Sequence, residues 1–122
     1  MTKEQAAVLK FHRMFDIQIE VTPKIPSPEV VGLRIRLIRE EFDELIIALH
    51  QKDLIETADA LGDLMYVILG TGVACGIDLE PVFEEIHRSN LTKVGGYKRE
   101  DGKWIKPDSY SPANIASVLR GI

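Results

Sequence analysis

Arg39-Glu40-Glu41-Phe42-Asp43-Glu44 is the stretch on which the fold turns. On a helix of about 100° per residue, counted from Glu40, Glu44 falls at about 40° and Glu41 at about 100°, so three carboxylates share one face. Leu33, Leu37, Val30 and Ala48 fall on the same arc, between about 20° and about 80°, which makes the acids a continuation of an apolar stripe. Asp43, at about 300°, points elsewhere. A solvated charge run lies opposite the apolar stripe; these three interrupt it. Like charges gathered in a partly buried place repel unless something cationic compensates them.

The next helical segment repeats the pattern. Counted from Asp59, Asp63 lies at about 40° and Glu56 at about 60°, beside Gly70 at about 20° and Ala74 at about 60°. Small residues let two helices approach closely, and two acidic stripes facing each other make a hard-oxygen pocket of the kind that holds Mg²⁺ or Mn²⁺. Glu40, Glu41, Glu44 and Asp63 are therefore the candidate metal ligands, with Asp59 a contributor. The alternative is ordinary, partly exposed helix charges paired with Arg34, Arg36 or Arg39.

Outward from these segments the chain reads as helical. Ala7, Val8, Phe11, Met14 and Phe15 recur at helical steps and predict a helix from Lys3 to Phe15. Pro23, Pro26 and Pro28 mark a loop from Asp16, closed by Ser27-Pro28, a helix start signal. The second helix is expected to run to about Gln51. Asp53 is the next N-cap, and a third helix is predicted from Leu54 to Cys75, with Gly76 as its stop. Asp78 and Pro81 open a fourth that ends near Asn90. Residues 91–110 read as loop with a small hairpin turning at Asp101-Gly102, and Ser111-Pro112 signals a short last helix. The expectation is an all-α fold of four main helices plus a short C-terminal one, in a single domain over residues 1–122.

Composition agrees. The chain has 122 residues, 45% hydrophobic and 28% charged, with 15 Lys and Arg against 19 Asp and Glu, a formal charge of −4. That is too apolar for a disordered tail. The longest uncharged stretch, Leu64 to Ile77, has 14 residues, short of the roughly 18 to 20 a membrane-spanning helix needs. No membrane or nucleic-acid partner is expected. Met1-Thr2-Lys3-Glu4-Gln5 lacks the features of a signal peptide, and Cys75, the one cysteine, reads as a small buried apolar residue. The cytoplasm is the expected compartment. A site recessed between long helices in so short a chain often needs a second subunit to close it, so a dimer or a pair of dimers is expected.

Charge is also segregated. From Glu40 to Asp63 eight acids stand against Lys52, net −7; from Arg88 to Lys106 six basic residues stand against Glu100 and Asp101, net +4. An acidic metal pocket with a complementary basic segment suits a polyphosphate. Mutual neutralisation of the two segments is the plainer reading.

Glu40-Glu41-x-x-Glu44, followed by Asp63-Leu64-Met65-Tyr66, resembles the EExxE and ExxD signature of the all-α nucleoside triphosphate pyrophosphohydrolases. That superfamily includes MazG-type enzymes, dimeric dUTPases, dCTP pyrophosphatases and phosphoribosyl-ATP pyrophosphohydrolase. His87-Arg88-Ser89-Asn90-Leu91-Thr92-Lys93, then Asp101-Gly102-Lys103 and Lys106-Pro107, is similar to the tail of its MazG-like and phosphoribosyl-ATP pyrophosphohydrolase-like members. The resemblance extends from about Phe11 to Ile115. It implies a MazG-like helical bundle completed by oligomerisation, a homodimer or homotetramer. It also implies Mg²⁺-dependent hydrolysis of a nucleotide between its α and β phosphates, giving a monophosphate and pyrophosphate, as in house-cleaning of deoxynucleotides. The alternatives are phosphoribosyl-ATP pyrophosphohydrolase of histidine biosynthesis and a non-catalytic nucleotide- or metal-binding module. Glu41 is implied as general base or bridging ligand. Asn90 and Lys93, and more weakly Lys106, match phosphate-contacting positions, and Tyr66 on the acidic face is placed to meet base or sugar. One departure stands out: the Glu expected three residues before Asp63 is Ala60, so Asp59, or Glu56 one turn back, is left to supply that ligand.

Two further motifs carry less. Glu84-x-x-His87 has the spacing of a di-iron bundle ligand pair but occurs once. Gly102-Lys103 lacks the upstream Gly and downstream Ser or Thr of a phosphate-binding loop.

Overall fold

A computed structural model describes residues 1–121; Ile122, the end of the single domain expected over 1–122, lies outside the described residues. The fold is all-α, its helices joined by one short antiparallel pair. The chain packs as two compact units, one from Met1 to Leu79 and one from Glu80 onward.

The first unit holds α1 (Lys3–Met14), α2 (Pro28–His50) and α3 (Leu54–Ala74). Each helix starts at the cap its sequence announces. Thr2 Oγ1 accepts from Gln5 N at 3.1 Å, Ser27 Oγ from Val30 N at 3.4 Å, and Asp53 Oδ1 from Glu56 N at 3.1 Å. These side chains satisfy amide groups that a helix start leaves without partners. Gln51 caps α2 and Cys75 caps α3, so the two helices end one residue before their expected limits. A turn of three residues joins α2 to α3, and they pack along each other with Ala48 and Ala60 buried at the seam. α1 packs on α3.

Two devices fix this unit. Gln5, fully buried, donates from Nε2 to Ile77 O at 2.8 Å and accepts at Oε1 from Leu79 N at 2.9 Å, tying α1 to the chain beyond α3. The proline-rich loop straps the other side: Glu20 N donates to Val73 O and Lys24 N to Cys75 O, which satisfies carbonyls at the C-terminal end of α3. The loop passes so close to Gly76, at φ +67°, that a Cβ there would stand 2.3 Å from Thr22 O. Only glycine fits both the left-handed backbone and the approach.

The apolar interior is small: Val8, Ala48, Ala60, Val73 and Ala74. Larger apolar side chains remain exposed in two stripes. Ile35, Phe42, Ile46 and Leu49 are exposed on α2, and Leu54, Leu61, Met65 and Ile68 on α3. Each set falls between roughly 180° and roughly 240° on its helix, opposite the acids. Among the described residues, no single helix is long and apolar enough to cross a membrane.

In the second unit α4 (Leu79–Leu91) is followed by an antiparallel pair, β1 (Tyr97–Lys98) and β2 (Trp104–Ile105), in the register Tyr97 to Ile105 and Lys98 to Trp104. The turn is the one expected at Asp101-Gly102, closed by Arg99 pairing with Asp101. α5 (Ile115–Arg120) corrects the reading of Ser111-Pro112 as its start: Asn114 Oδ1 accepts from Ser117 N and is the cap. Ser111 is used elsewhere. Its carbonyl accepts from the buried Ser89 Oγ at 2.8 Å and its N–H donates to Thr92 Oγ1 at 2.8 Å, so it binds the end of α4 instead of starting α5.

Candidate functional site

The close packing of α2 on α3 brings the acids together. One carboxylate oxygen each from Glu41, Glu44 and Asp63 lie within 4.8 Å of one another. Glu41 is half-buried; Glu44 and Asp63 are exposed. Burial, reinforced by the negative charges of Glu44, Asp63 and Glu40, pushes the Glu41 carboxyl above its ordinary range. Among the described residues its buried Oε2 has no hydrogen-bond partner, and a hydrogen bond between the Glu41 and Glu44 carboxyl groups adds to the rise. Among the described residues no ion pair joins these acids to Arg34, Arg36 or Arg39, so the compensation the alternative reading required is missing.

An orphaned buried carboxylate oxygen beside two further carboxylates fits a divalent cation, because hard oxygens at this spacing lose their repulsion on coordinating one. Glu41, Glu44 and Asp63 are the residues able to hold it. Glu40, exposed, adds charge one residue before Glu41.

Asp59 lies elsewhere along the same seam. A recess of about 260 Å³ is lined by Glu44, Ala48, Gln51, Glu56, Asp59 and Ala60. Glu44 thus borders both groups, the cluster with Glu41 and Asp63 and the recess with Asp59 and Glu56. Ala60, standing where the signature has Glu, is buried in the seam.

On the other side of Glu41 and Asp63 a second cavity of about 280 Å³ opens, lined also by Tyr66, Phe11, His12 and Arg34. Tyr66 meets Phe11 edge to face with ring centres 5.5 Å apart. Arg34 and His12 are not among the residues the sequence singles out for the site. A signal was present: Arg34 falls at about 120° on the wheel that carries the acids, and His12 follows Val8 by four residues on the buried side of α1.

The tail residues belong to the second unit. Asn90 is exposed, and its carbonyl accepts from Lys93 N at 3.1 Å. Lys93 O accepts from the Trp104 indole at 2.7 Å. The Lys106 ammonium lies 4.6 Å from the centre of the Tyr110 ring. A hydrogen bond with Ser89, aided by the charges of Lys106, Lys93 and Arg88, lowers the Tyr110 pKa.

The sequence matches the model of the family described as phosphoribosyl-ATP pyrophosphohydrolase over residues 8–90. The chain belongs to that family. The matched span holds all of α2 and α3, and therefore every acid of the cluster. The chain is also similar to "Uncharacterized protein L479" of Acanthamoeba polyphaga mimivirus, with 39% identity over 69 residues, 57% of this chain and 24% of that protein. It spans about a quarter of the length of that relative.

Proposed function

We propose that the protein is a Mg²⁺- or Mn²⁺-dependent nucleotide pyrophosphohydrolase that cleaves nucleoside triphosphates between the α and β phosphates. The observation that carries this reading is the Glu41, Glu44 and Asp63 cluster with its orphaned Glu41 oxygen, in a family of pyrophosphohydrolases. Glu40, Glu41, Glu44 and Asp63 hold the metal, with Asp59 contributing through the recess it shares with Glu44. A bound divalent cation supplies charge that offsets the polyphosphate and makes the attacking water more acidic. Glu41, half-buried beside Glu44 and Asp63, is the carboxylate suited to take the proton from that water. The water oxygen bonds to a phosphorus flanking the α–β bridging oxygen, the bond to that oxygen breaks, and pyrophosphate and the monophosphate separate. Asn90, Lys93 and Lys106 offer amide and ammonium donors to phosphate oxygens, and Tyr66 faces base or sugar.

A second reading has its own support in the family description: the substrate is phosphoribosyl-ATP, the reaction a step of histidine biosynthesis. One assay separates the two. Purified protein with Mg²⁺ or Mn²⁺ is given ribo- and deoxynucleoside triphosphates and phosphoribosyl-ATP, and products are resolved by chromatography with pyrophosphate detection. Monophosphate plus pyrophosphate from the triphosphates supports the first reading, and turnover confined to phosphoribosyl-ATP supports the second. Intact nucleotide throughout, from folded and metal-bound protein, makes it a regulatory binding module.

A further inference from the structure

The cavity beside the acid cluster is largely apolar. Phe11, Ile17, Leu37 and Val67 give it apolar walls. Two polar groups that the hydrolytic step does not use also line it, Arg34 at 6% exposure and His12 at 2%. Arg34 Nε donates to Thr71 Oγ1 at 3.1 Å and Nη2 to Val67 O at 2.8 Å. Among the described residues no carboxylate pairs with it, and its Nη1 makes no hydrogen bond. A buried cation supported by neutral oxygens alone is expensively desolvated, which leaves room for a further acceptor arriving from outside.

His12 is its complement. Nδ1 lies 2.8 Å from Gln18 O; a carbonyl only accepts, so Nδ1 carries the proton and Nε2 of the neutral ring keeps its lone pair. Burial, aided by the Arg34 charge, lowers the pKa of the ring and keeps it neutral near pH 7. The two residues that carry this donor and this acceptor therefore line one cavity, together with Phe11 and Tyr66, each more than a third exposed and open to stacking.

We propose that this cavity takes a nucleobase carrying a carbonyl beside a ring N–H, Arg34 donating to the carbonyl and His12 accepting from the N–H, and that the pair selects such bases over those with an amino group at that position. The proposal rests on reading the acid cluster as the phosphate end of a nucleotide site; Glu41 and Asp63 border the same cavity. The discrimination follows from Arg having donors and no acceptor, so an amino N–H meets an N–H. Hypoxanthine against adenine, and uracil against cytosine, each differ by this exchange alone.

The test compares kcat/KM with Mg²⁺ for dITP against dATP and for dUTP against dCTP. Alongside, the four corresponding monophosphates are titrated onto Mg²⁺-loaded protein by calorimetry. The carbonyl-bearing member of each pair is expected to be preferred by about tenfold or more, since a site built to hydrogen-bond rejects the analogue that leaves its groups unpaired. Arg34→Lys, which keeps the charge but loses the planar fork, and His12→Phe, which removes the acceptor, should each shrink the preference while circular dichroism stays unchanged. Equal or reversed preference overturns the proposal, with or without variants that fold. Pyrophosphate release with no base preference overturns it alone. Selective binding of the monophosphates without turnover of any nucleotide upholds it and removes the hydrolytic reading instead. No turnover of any nucleotide together with no binding by any of the four overturns both.

Discussion

Gly70 on α3 lies so close to Arg34 of α2 that a Cβ at position 70 would stand 2.6 Å from Arg34 Nη2 and 3.0 Å from His12 Nε2. The missing side chain is what lets the guanidinium reach Val67 O and Thr71 Oγ1. In an exposed helix Gly→Ala stabilises by about 1 kcal/mol. Here it pushes a buried cation off its acceptors, which outweighs that gain. Gly70→Ala is expected to destabilise the protein by about 2 kcal/mol. A urea midpoint equal to or above that of the wild type contradicts the role given to this contact.

Glu41→Gln separates function from stability. Because the folded pKa of Glu41 is raised, the folded state binds its proton more tightly than the unfolded chain does. In metal-free protein the linked stability is fully present below the unfolded value of about 4.3 and is lost as pH rises through the folded value. The glutamine variant has no such loss. Metal-free Glu41→Gln should therefore melt higher than wild type at pH 7 and level with it near pH 4, while pyrophosphate release is abolished. Near-wild-type turnover would refute the role of Glu41 in the chemistry; a lower melting point at pH 7 would refute the account of its burial.

Asp63 shares the cluster with Glu41 and Glu44, whereas Asp59 reaches the seam through the recess around Glu44. Asp63→Asn should therefore lower kcat/KM and Mg²⁺ affinity more than Asp59→Asn, by roughly tenfold or greater in affinity for the ligand and less for the neighbour. The opposite ranking in calorimetric Mg²⁺ titrations would make Asp59 the ligand that stands in for the Glu absent at Ala60.

The exposed stripes, Ile35, Phe42, Ile46 and Leu49 on α2 and Leu54, Leu61, Met65 and Ile68 on α3, are rows of large apolar side chains of the kind that marks an interface. Light scattering after size exclusion is expected to give a homodimer or homotetramer. Phe42→Glu, remote on its helix from the acids, should shift that mass downward; a monomeric wild type would exclude these stripes as a self-interface.

Much of the helical frame was legible in the sequence because caps and prolines are local signals. Thr2, Ser27 and Asp53 act on amides three residues away, so the helix starts needed no tertiary information. Ser111-Pro112 misled for the same reason: a tertiary demand, the bonds to Ser89 and Thr92, took the groups a cap would use. Helical period put Glu41, Glu44 and Asp63 on facing sides of two helices, and packing brought them within 4.8 Å. Arg34 and His12 were harder to read. A charged residue on a wheel is assigned to solvent by default, and only the three-dimensional closeness of α1, α2 and Gly70 shows that both are buried. The Cys75 expected to be buried is half-buried, its thiol pKa raised by what burial it has.

The small interior of the first unit has a consequence for how the protein is kept. With Val8, Val73 and three alanines as its buried apolar residues, the bundle would gain much of its stability from a second copy covering the two stripes. Mass action would then make its melting temperature a function of its own abundance. A chain released at low copy number would be most exposed to proteolysis just when its partners are scarce, and each molecule added would protect those already made.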